Sequence, residues 1–273
     1  MKETKILITG SSGFIGDYLF RYLLNLGFDV YGIDKIEKSS FKNMFSKVDI
    51  LDYEKLKIKI LEICPEVIIH LAARTDLGLN DKLENFPENT VGVKNIIKLC
   101  NETDSIKKLI FTSTILVCKI GYTAKKANFF DPQTTYGRSK VIGEKMIRKH
   151  LKKKFIIIRP TSIWGPSNGS NYESFFSKIS KKTYFHISGS NPKITFGYIG
   201  NFCFQLVELM KNNSSYGSFF YLGDYKEVSL KPWANIIYYQ FHGNKGNIFT
   251  IKYSLIKLFA SLGDLIIKLG FKF

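Results

Sequence analysis

Cysteine is scarce and scattered. The four residues, Cys64, Cys100, Cys118 and Cys203, form no Cys-x2-Cys pair and have no neighbouring histidine. That spacing argues against a zinc site and a disulfide framework, and no metal is expected. His70, His150, His186 and His242 do not cluster by spacing either. His70 ends an apolar run and reads as a packing or hydrogen-bonding residue. No uninterrupted apolar run reaches the roughly 18 residues of a membrane span. No basic-plus-apolar leader precedes the first strand candidate at Lys5, so a cytoplasmic protein is the expectation. Acidic residues are few, 23 against 40 Lys and Arg, a formal net charge of +17. Such an excess can draw nucleic acid or an anionic surface. Here the lysines lie in short dispersed groups such as Lys107-Lys108, Lys125-Lys126 and Lys152 to Lys154, without a recognition helix, zinc finger or aromatic RNA-binding strand. No nucleic-acid partner is expected, and at most a weak attraction to a membrane surface.

What is present is a core. The chain has 273 residues, 45% hydrophobic and 15% aromatic, enough for one large α/β domain and an added lobe. Short continuous apolar runs, the mark of strands covered on both faces, occur at Lys5–Thr9, Val30–Ile33, Val67–His70, Lys108–Ser113 and Phe155–Arg159. Helical patterns fall between them at Phe14–Leu26, Tyr53–Ile63, Glu84–Asn101 and Thr134–Leu151. This alternation predicts an α/β fold built on a doubly wound parallel sheet, with ligands at the carboxyl ends of its strands. Beyond Arg159 the alternation weakens. Trp164 to Gly169 reads as a loop, Tyr172–Lys181 and Phe202–Lys211 as helices, and Ser218–Leu222 as a strand returning to the main sheet. The expected division is a main domain over 1–160, rejoined by about 197–222, and a smaller substrate lobe over 161–273. Tyr253 to Phe273 has apolar residues at helical spacing with lysines between, and reads as a helix packed on that lobe or an interfacial one.

The first strand runs into Gly10, Gly13 and Gly16 and then a helix, and the second strand ends at Asp34. Gly10 allows a tight turn, Gly13 a close approach of backbone to a pyrophosphate, and Gly16 close helix packing. The helix N-terminus offers free N–H groups to phosphates. Asp34, about twenty residues after the glycines, suits the adenosine-ribose hydroxyls. Strand, glycine turn, helix and acid together predict a dinucleotide-binding Rossmann domain. Asp34 would repel a 2′-phosphate and Lys35 offsets this only in part, so NAD is favoured over NADP. Tyr136 and Lys140 are four apart on the fourth helix and share a face. An ammonium beside the phenol would lower its pKa and make Tyr136 a proton acceptor or donor for a sugar hydroxyl, while Lys140 could also hold the nicotinamide ribose.

With these residues the chain resembles an extended short-chain dehydrogenase/reductase of the NAD-dependent epimerase/dehydratase family, over Lys5 to about Leu222. The resemblance implies nucleotide-sugar substrates. It implies that Gly10, Gly13 and Gly16 form the glycine turn, with Phe14 and Ile15 over the pyrophosphate and Asp34 on the ribose. Asp49 and Ile50 would meet the adenine. Leu71, Ala72 and Ala73 after His70 would line the cofactor, as would Pro160 of Arg159-Pro160. Asn89, Gly92 and Asn95 match a helix motif whose first residue is placed at the cofactor. Thr114 aligns with the catalytic Ser/Thr, with Ser113 its structural neighbour, and joins Tyr136 and Lys140 as the catalytic set. Cys118, Ser162 and Lys193, with Thr114, fall at substrate-contacting positions. A homodimer through Glu84–Asn101 and Thr134–Leu151 is implied by the resemblance alone.

The chain also departs from the family pattern. Ile115-Leu116 replaces the Asp-Glu pair of the dehydratases, so a 4,6-dehydratase is disfavoured. Cys118 stands where tyrosine is usual, and Ser162 where asparagine is. The segment Ile194 to Asn201 lacks the diphosphate-binding arginine, leaving Lys193 adjacent. The lobe is shorter than usual and is expected to be truncated. The leading expectation is an NAD-dependent nucleotide-sugar epimerase acting by transient hydride transfer at C4. The alternatives are a nucleotide-sugar ketoreductase or dehydrogenase and, from another class, a non-catalytic NAD-binding sensor or assembly protein. Surface-polysaccharide biosynthesis is the pathway the family's habits suggest.

Overall fold

The structure is a computed structural model that describes residues 4–37, 43–77, 81–166, 170–224, 226–244, 248–257 and 261. Contacts divide the chain into two units, Met1–Gly165 with Gly197–Gly223, and Pro166–Phe196 with Asp224–Phe273.

The elements run in chain order as β1 (Lys5–Thr9), α1 (Phe14–Asn25), β2 (Asp29–Asp34), β3 (Phe45–Lys47), α2 (Tyr53–Ile63), β4 (Val67–His70), α3 (Val93–Glu102), β5 (Lys108–Thr112), α4 (Thr135–His150), β6 (Lys154–Pro160) and β7 (Ser162–Trp164). There follow α5 (Ser170–Ser180), β8 (His186–Ile187), β9 (Lys193–Ile194), β10 (Phe196–Tyr198), α6 (Ile199–Lys211), β11 (Phe219–Leu222), β12 (Val228–Ser229), α7 (Leu230–His242) and β13 (Thr250–Ile251). Seven strands form one sheet in the order β11-β6-β5-β4-β1-β2-β3, every neighbouring pair parallel.

The chain winds outward from β1 through β2 to β3, then crosses back to β4 and runs the other way to β11. The direction therefore reverses between β1 and β4, and the crevice beyond their carboxyl ends is where a doubly wound sheet takes its ligand. The apolar runs divide by pleat. Ile6, Ile8, Ile69, Ile110, Ile156 and Ile158 face a layer with Leu19, Leu23, Phe202 and Leu206 of α1 and α6. Leu7, Ile68, Leu109 and Ile157 face the other layer with Leu56, Ile60, Ile96 and Ile147 of α2, α3 and α4. The central strands β1, β4, β5 and β6 are buried on both sides, so none of them alternates in polarity.

The helix expected over Glu84–Asn101 is interrupted. A 3-10 turn spans Leu83–Asn85, a π turn spans Glu88–Gly92, and the α-helix begins only at Val93. Pro87 has no N–H to continue a helix through this point. The second unit contains a helix, α7, that its sequence conceals. Pro232 sits in the first turn, where no intrahelical hydrogen bond is lost, and Gly243 closes the helix at φ +68°. Trp233 of α7 anchors an aromatic cluster, stacked on Phe196 at 4.0 Å and on Phe175 at 5.1 Å between ring centroids. The short strands β3, β7, β8, β9, β10, β12 and β13 likewise carry no clear signal in the sequence. Of the terminal helix expected over Tyr253–Phe273, residues 253–257 are helical and, Ser261 aside, the rest lies outside the described residues, as do residues 167–169 of the expected loop. The four cysteines are all free thiols. Among the described residues no helix is long and apolar enough to cross a membrane.

Candidate active site

The glycine turn joins β1 to α1 at the reversal point. Gly10 has φ +75°, and a Cβ there would stand 2.6 Å from the Ala72 amide nitrogen, so the turn and the segment after β4 close on each other only through glycine. A Cβ on Gly16 would run into the Gly10 carbonyl oxygen and the Ser11 Cα. Gly16 thus serves the approach of helix to turn rather than of helix to sheet. Gly13 is the N-cap of α1 and brings no side-chain acceptor, which leaves first-turn N–H groups for an anion. Asp34 lies beside this turn, accepting hydrogen bonds from the Ser12 and Ile36 amides, each at 3.0 Å. A glycine cradle, an uncapped helix start and a carboxylate held at the turn fit a dinucleotide. Phe14 and Ile15, at the start of α1, are both half-buried.

The segment after β4 is half-buried at Leu71, Ala72 and Ala73. The Leu71 amide donates to the Thr9 carbonyl at 3.0 Å. The three residues of the Asn-x2-Gly-x2-Asn motif each support a neighbouring segment. Asn89 is fully buried, accepting from the Arg74 amide at 2.9 Å and donating to the Arg74 carbonyl at 2.9 Å and to Ser139 Oγ at 2.8 Å. Its carboxamide is committed to protein partners, so the structure gives it a bracing position. Gly92 leaves room for the Ile50 side chain, which is part of the core below the sheet. Asn95 donates to the Ile50 carbonyl at 2.9 Å. Asp49 accepts from the Leu51 amide at 2.9 Å.

Thr114, Tyr136 and Lys140 come together beyond β5. Thr114 caps the turn Ile115–Val117, accepting from the Leu116 amide at 3.2 Å. The Thr114 side chain lies close enough to the Tyr136 phenol to favour its ionised form. Gly137 makes the approach possible, because a Cβ there would collide with the Leu116 carbonyl oxygen. Lys140 donates to the Thr112 carbonyl at 2.8 Å and lies over the Phe111 ring. Thr112 Oγ1 and Ser113 Oγ are buried without a hydrogen-bond partner.

Burial governs both ionisations. It pushes the Tyr136 phenol up to about 12, against the opposing pull of the neighbouring Thr114 hydroxyl. It pushes the Lys140 amine down to about 7, partly offset by the Glu144 carboxylate. The expectation that a full ammonium at Lys140 lowers the tyrosine pKa is therefore corrected. The desolvated site penalises the charged form of each group.

Cys118 is sealed in a small apolar cluster with Val117, Ala124 and Val141, its thiol 3.8 Å from the Phe129 carbonyl. Pro160 is buried at the end of β6, and Ser162 is half-buried in β7. Lys193 is exposed on β9 of the second unit.

Sequence reasoning passed over the partners beneath the site. Arg159 and Glu144 are fully buried and paired through two hydrogen bonds of 2.8 Å. Arg159 also donates to Tyr221 Oη and to the Ala127 carbonyl, each at 3.1 Å. Glu144 falls four residues after Lys140, so the helical period that links Tyr136 to Lys140 was the signal that could have found it.

His70 is fully buried, with Nδ1 2.7 Å from Thr9 Oγ1. Burial, reinforced by the nearby Lys140 charge, holds its pKa down at about 3. An unfolded histidine takes up a proton near pH 6.5. Between those values the unfolded state binds more protons, so stability falls as pH drops from 6.5 toward 3. A His70→Gln variant should show a flatter loss of apparent Tm over that range. Parallel profiles for the two proteins would refute this account.

The profile of the NAD dependent epimerase/dehydratase family matches residues 6–219. An undecaprenol-linked N-acetylglucosamine 4-epimerase of Escherichia coli O157:H7 is 24% identical over 76% of this chain and 62% of its own. A UDP-glucose 4-epimerase of Vibrio cholerae is 31% identical over 64% of this chain and 57% of its own. The chain thus spans less than two thirds of either relative. The crystal structure of a UDP-glucose 4-epimerase from Thermotoga maritima superposes with a TM-score of 0.74 at 18% identity, covering 91% of this chain and 86% of that one. The fold, the glycine turn and the matched span agree: the chain belongs to the NAD dependent epimerase/dehydratase family.

Proposed function

We propose that the chain is a nucleotide-sugar 4-epimerase that uses NAD without net turnover, with Thr114, Tyr136 and Lys140 as its catalytic residues. The observation that carries this is the convergence of Thr114 with Tyr136 on the buried face of α4 that also holds Lys140. Gly10, Gly13 and Gly16 with the start of α1 would hold the pyrophosphate, and Asp34 the adenosine ribose. When bound, NAD supplies a reversible hydride acceptor. Once bound substrate and cofactor have shifted Tyr136 to its phenolate, its oxygen takes the proton of the sugar C4 hydroxyl and returns one after inversion. Thr114 hydrogen-bonds the same sugar oxygen. Lys140, with an amine poised near neutrality, adjusts the local charge as Tyr136 loses and regains its proton. Removal of bulk water from this buried corner strengthens each of these contacts.

Ile115 and Leu116 bring no proton-transfer group to the turn after Thr114, which supports epimerisation over elimination of water. The V. cholerae relative, at 31% identity over 64% of this chain, supports the same reaction class. The test is to incubate the purified chain and NAD with UDP-glucose or UDP-glucuronic acid and follow the sugar by NMR. Appearance of the C4 epimer with constant NAD is the expected result. Stoichiometric accumulation of NADH and an oxidised sugar would replace this reading with a dehydrogenase.

A further inference from the structure

Lys35 follows Asp34 directly, at the end of β2, and is the cation that a 2′-phosphate on the adenosine ribose would most readily meet. Asp34 itself is fixed at the glycine turn by the Ser12 and Ile36 amides, and Ser12 Oγ donates to the Ile36 carbonyl at 2.7 Å. The strand end and the turn therefore form one hydrogen-bonded piece. Lys35 does not stand free on it. Its Nζ donates to Glu88 Oε1 at 2.8 Å.

Glu88 comes from far along the chain, from the π turn ahead of α3. Its side chain is mostly buried, at 15% exposure against 54% for Lys35. A carboxylate in that position is held by the fold rather than by the lysine. Its second oxygen, Oε2, is buried with no hydrogen-bond partner among the described residues. Lys35 also lies in the field of Asp49 and Asp34, and these acids, Glu88 above all, raise its pKa. The Lys35 ammonium thus lies among three carboxylates, with Glu88 the one in direct contact. Lysine binds phosphate as a point charge, and a point charge already matched at 2.8 Å has little left to offer a second anion.

We propose that Glu88 sets the choice of NAD over NADP by engaging Lys35, the cation next to Asp34. Asp34 discourages the 2′-phosphate, and Glu88 removes the group that would otherwise compensate. The inference rests on the dinucleotide reading of the glycine turn given above.

The test is equilibrium binding, independent of turnover. The full chain, freed of co-purified nucleotide, is titrated with NAD and with NADP by calorimetry, and the ratio of the two Kd values is compared among wild type, E88Q, K35M and E88Q/K35M. The wild type should prefer NAD. E88Q should move the ratio toward NADP by about tenfold, the size of a single partly screened charge interaction. In the double variant that gain should vanish, because it depends on the released lysine. K35M alone, a change at a half-exposed side chain, should shift the wild-type ratio by less than about twofold and keeps the test open if E88Q fails to fold.

An unchanged ratio in E88Q overturns the proposal. A gain that survives in E88Q/K35M overturns it as well, assigning the discrimination to direct repulsion or to another cation such as Lys47, which lies across from Asp34 on β3. A large loss of NADP binding in K35M would show Lys35 already free to meet phosphate, and this too would overturn the proposal. A wild type that binds neither nucleotide overturns the cofactor reading itself, an outcome distinct from binding of NAD with no response to E88Q.

Discussion

Tyr136→Phe should lower turnover of the nucleotide sugar by roughly 10²–10⁴-fold, the usual contribution of a positioned acid–base group, while NAD affinity stays within about twofold. The ring keeps its contact with Phe86, at 6.5 Å between centroids. Thr114 keeps its hydrogen bond from the Leu116 amide, so loss of the phenolic oxygen leaves little unsatisfied. The change removes the phenolic oxygen to which the proposed proton exchange is assigned and little else. Because Tyr136 is held as a phenol up to about pH 12 by burial, its action depends on substrate and cofactor altering that environment, and kcat should suffer far more than KM. Rates for the variant and wild type, with NAD binding measured on both, check this. A Tyr136→Phe variant retaining turnover within about tenfold of wild type would remove Tyr136 from the mechanism.

Arg159→Met should destabilise the protein by about 3–5 kcal/mol, the cost of stranding a buried charge. For a chain of this size that corresponds to an apparent Tm roughly 10 °C lower. Glu144 would lose both hydrogen bonds of 2.8 Å. Arg148 stands 3.6 Å from the same carboxylate, too long to replace them. The Ala127 carbonyl would lose its donor too, while Tyr221 Oη would keep the Ala124 amide. The second variant separates charge from shape. Glu144→Leu combined with Arg159→Met removes both charges and should recover part of the loss, since buried ion pairs replaced by apolar side chains of similar volume are often neutral or better, less what Arg148 loses with its carboxylate. Thermal denaturation of the single and double variants measures both effects. A single variant within about 1 kcal/mol of wild type would mean that water or Arg148 satisfies Glu144, contrary to its burial.

The two experiments probe opposite ends of one helix face. Tyr136, Lys140 and Glu144 recur every four residues along α4, so the face that presents the hydroxyl also reaches the ion pair that ties α4 to β6. Arg159 lies under the rings of Phe219 and Phe130 at 4.6 and 5.4 Å, and those contacts would pass to the methionine in the variant.

The parallel sheet, the glycine turn and the placing of Tyr136 and Lys140 on one face of α4 were legible in the sequence because each rests on local periodicity. Continuous apolar runs mark strands covered on both faces, glycines mark a backbone that a Cβ would block, and a spacing of four places two side chains on one helix face. The break at Pro87, the helix through Pro232 and the short strands of the second unit were not legible, because position within an element, not composition, decides whether proline is tolerated and whether two residues pair.

Ionisation and long-range pairing belong to the tertiary structure alone. Charge type predicts that an ammonium beside a phenol lowers its pKa, yet burial reverses the sign, and only the packed structure sets burial. The sequence likewise shows that Glu88 and Lys35, or Glu144 and Arg159, are oppositely charged. Their meeting across 53 and 15 residues depends on how helices dock on the sheet. Local chain physics determined which elements form and where the cofactor signature lies. The packing of those elements decided which charges are matched, which are buried and which groups remain to do chemistry.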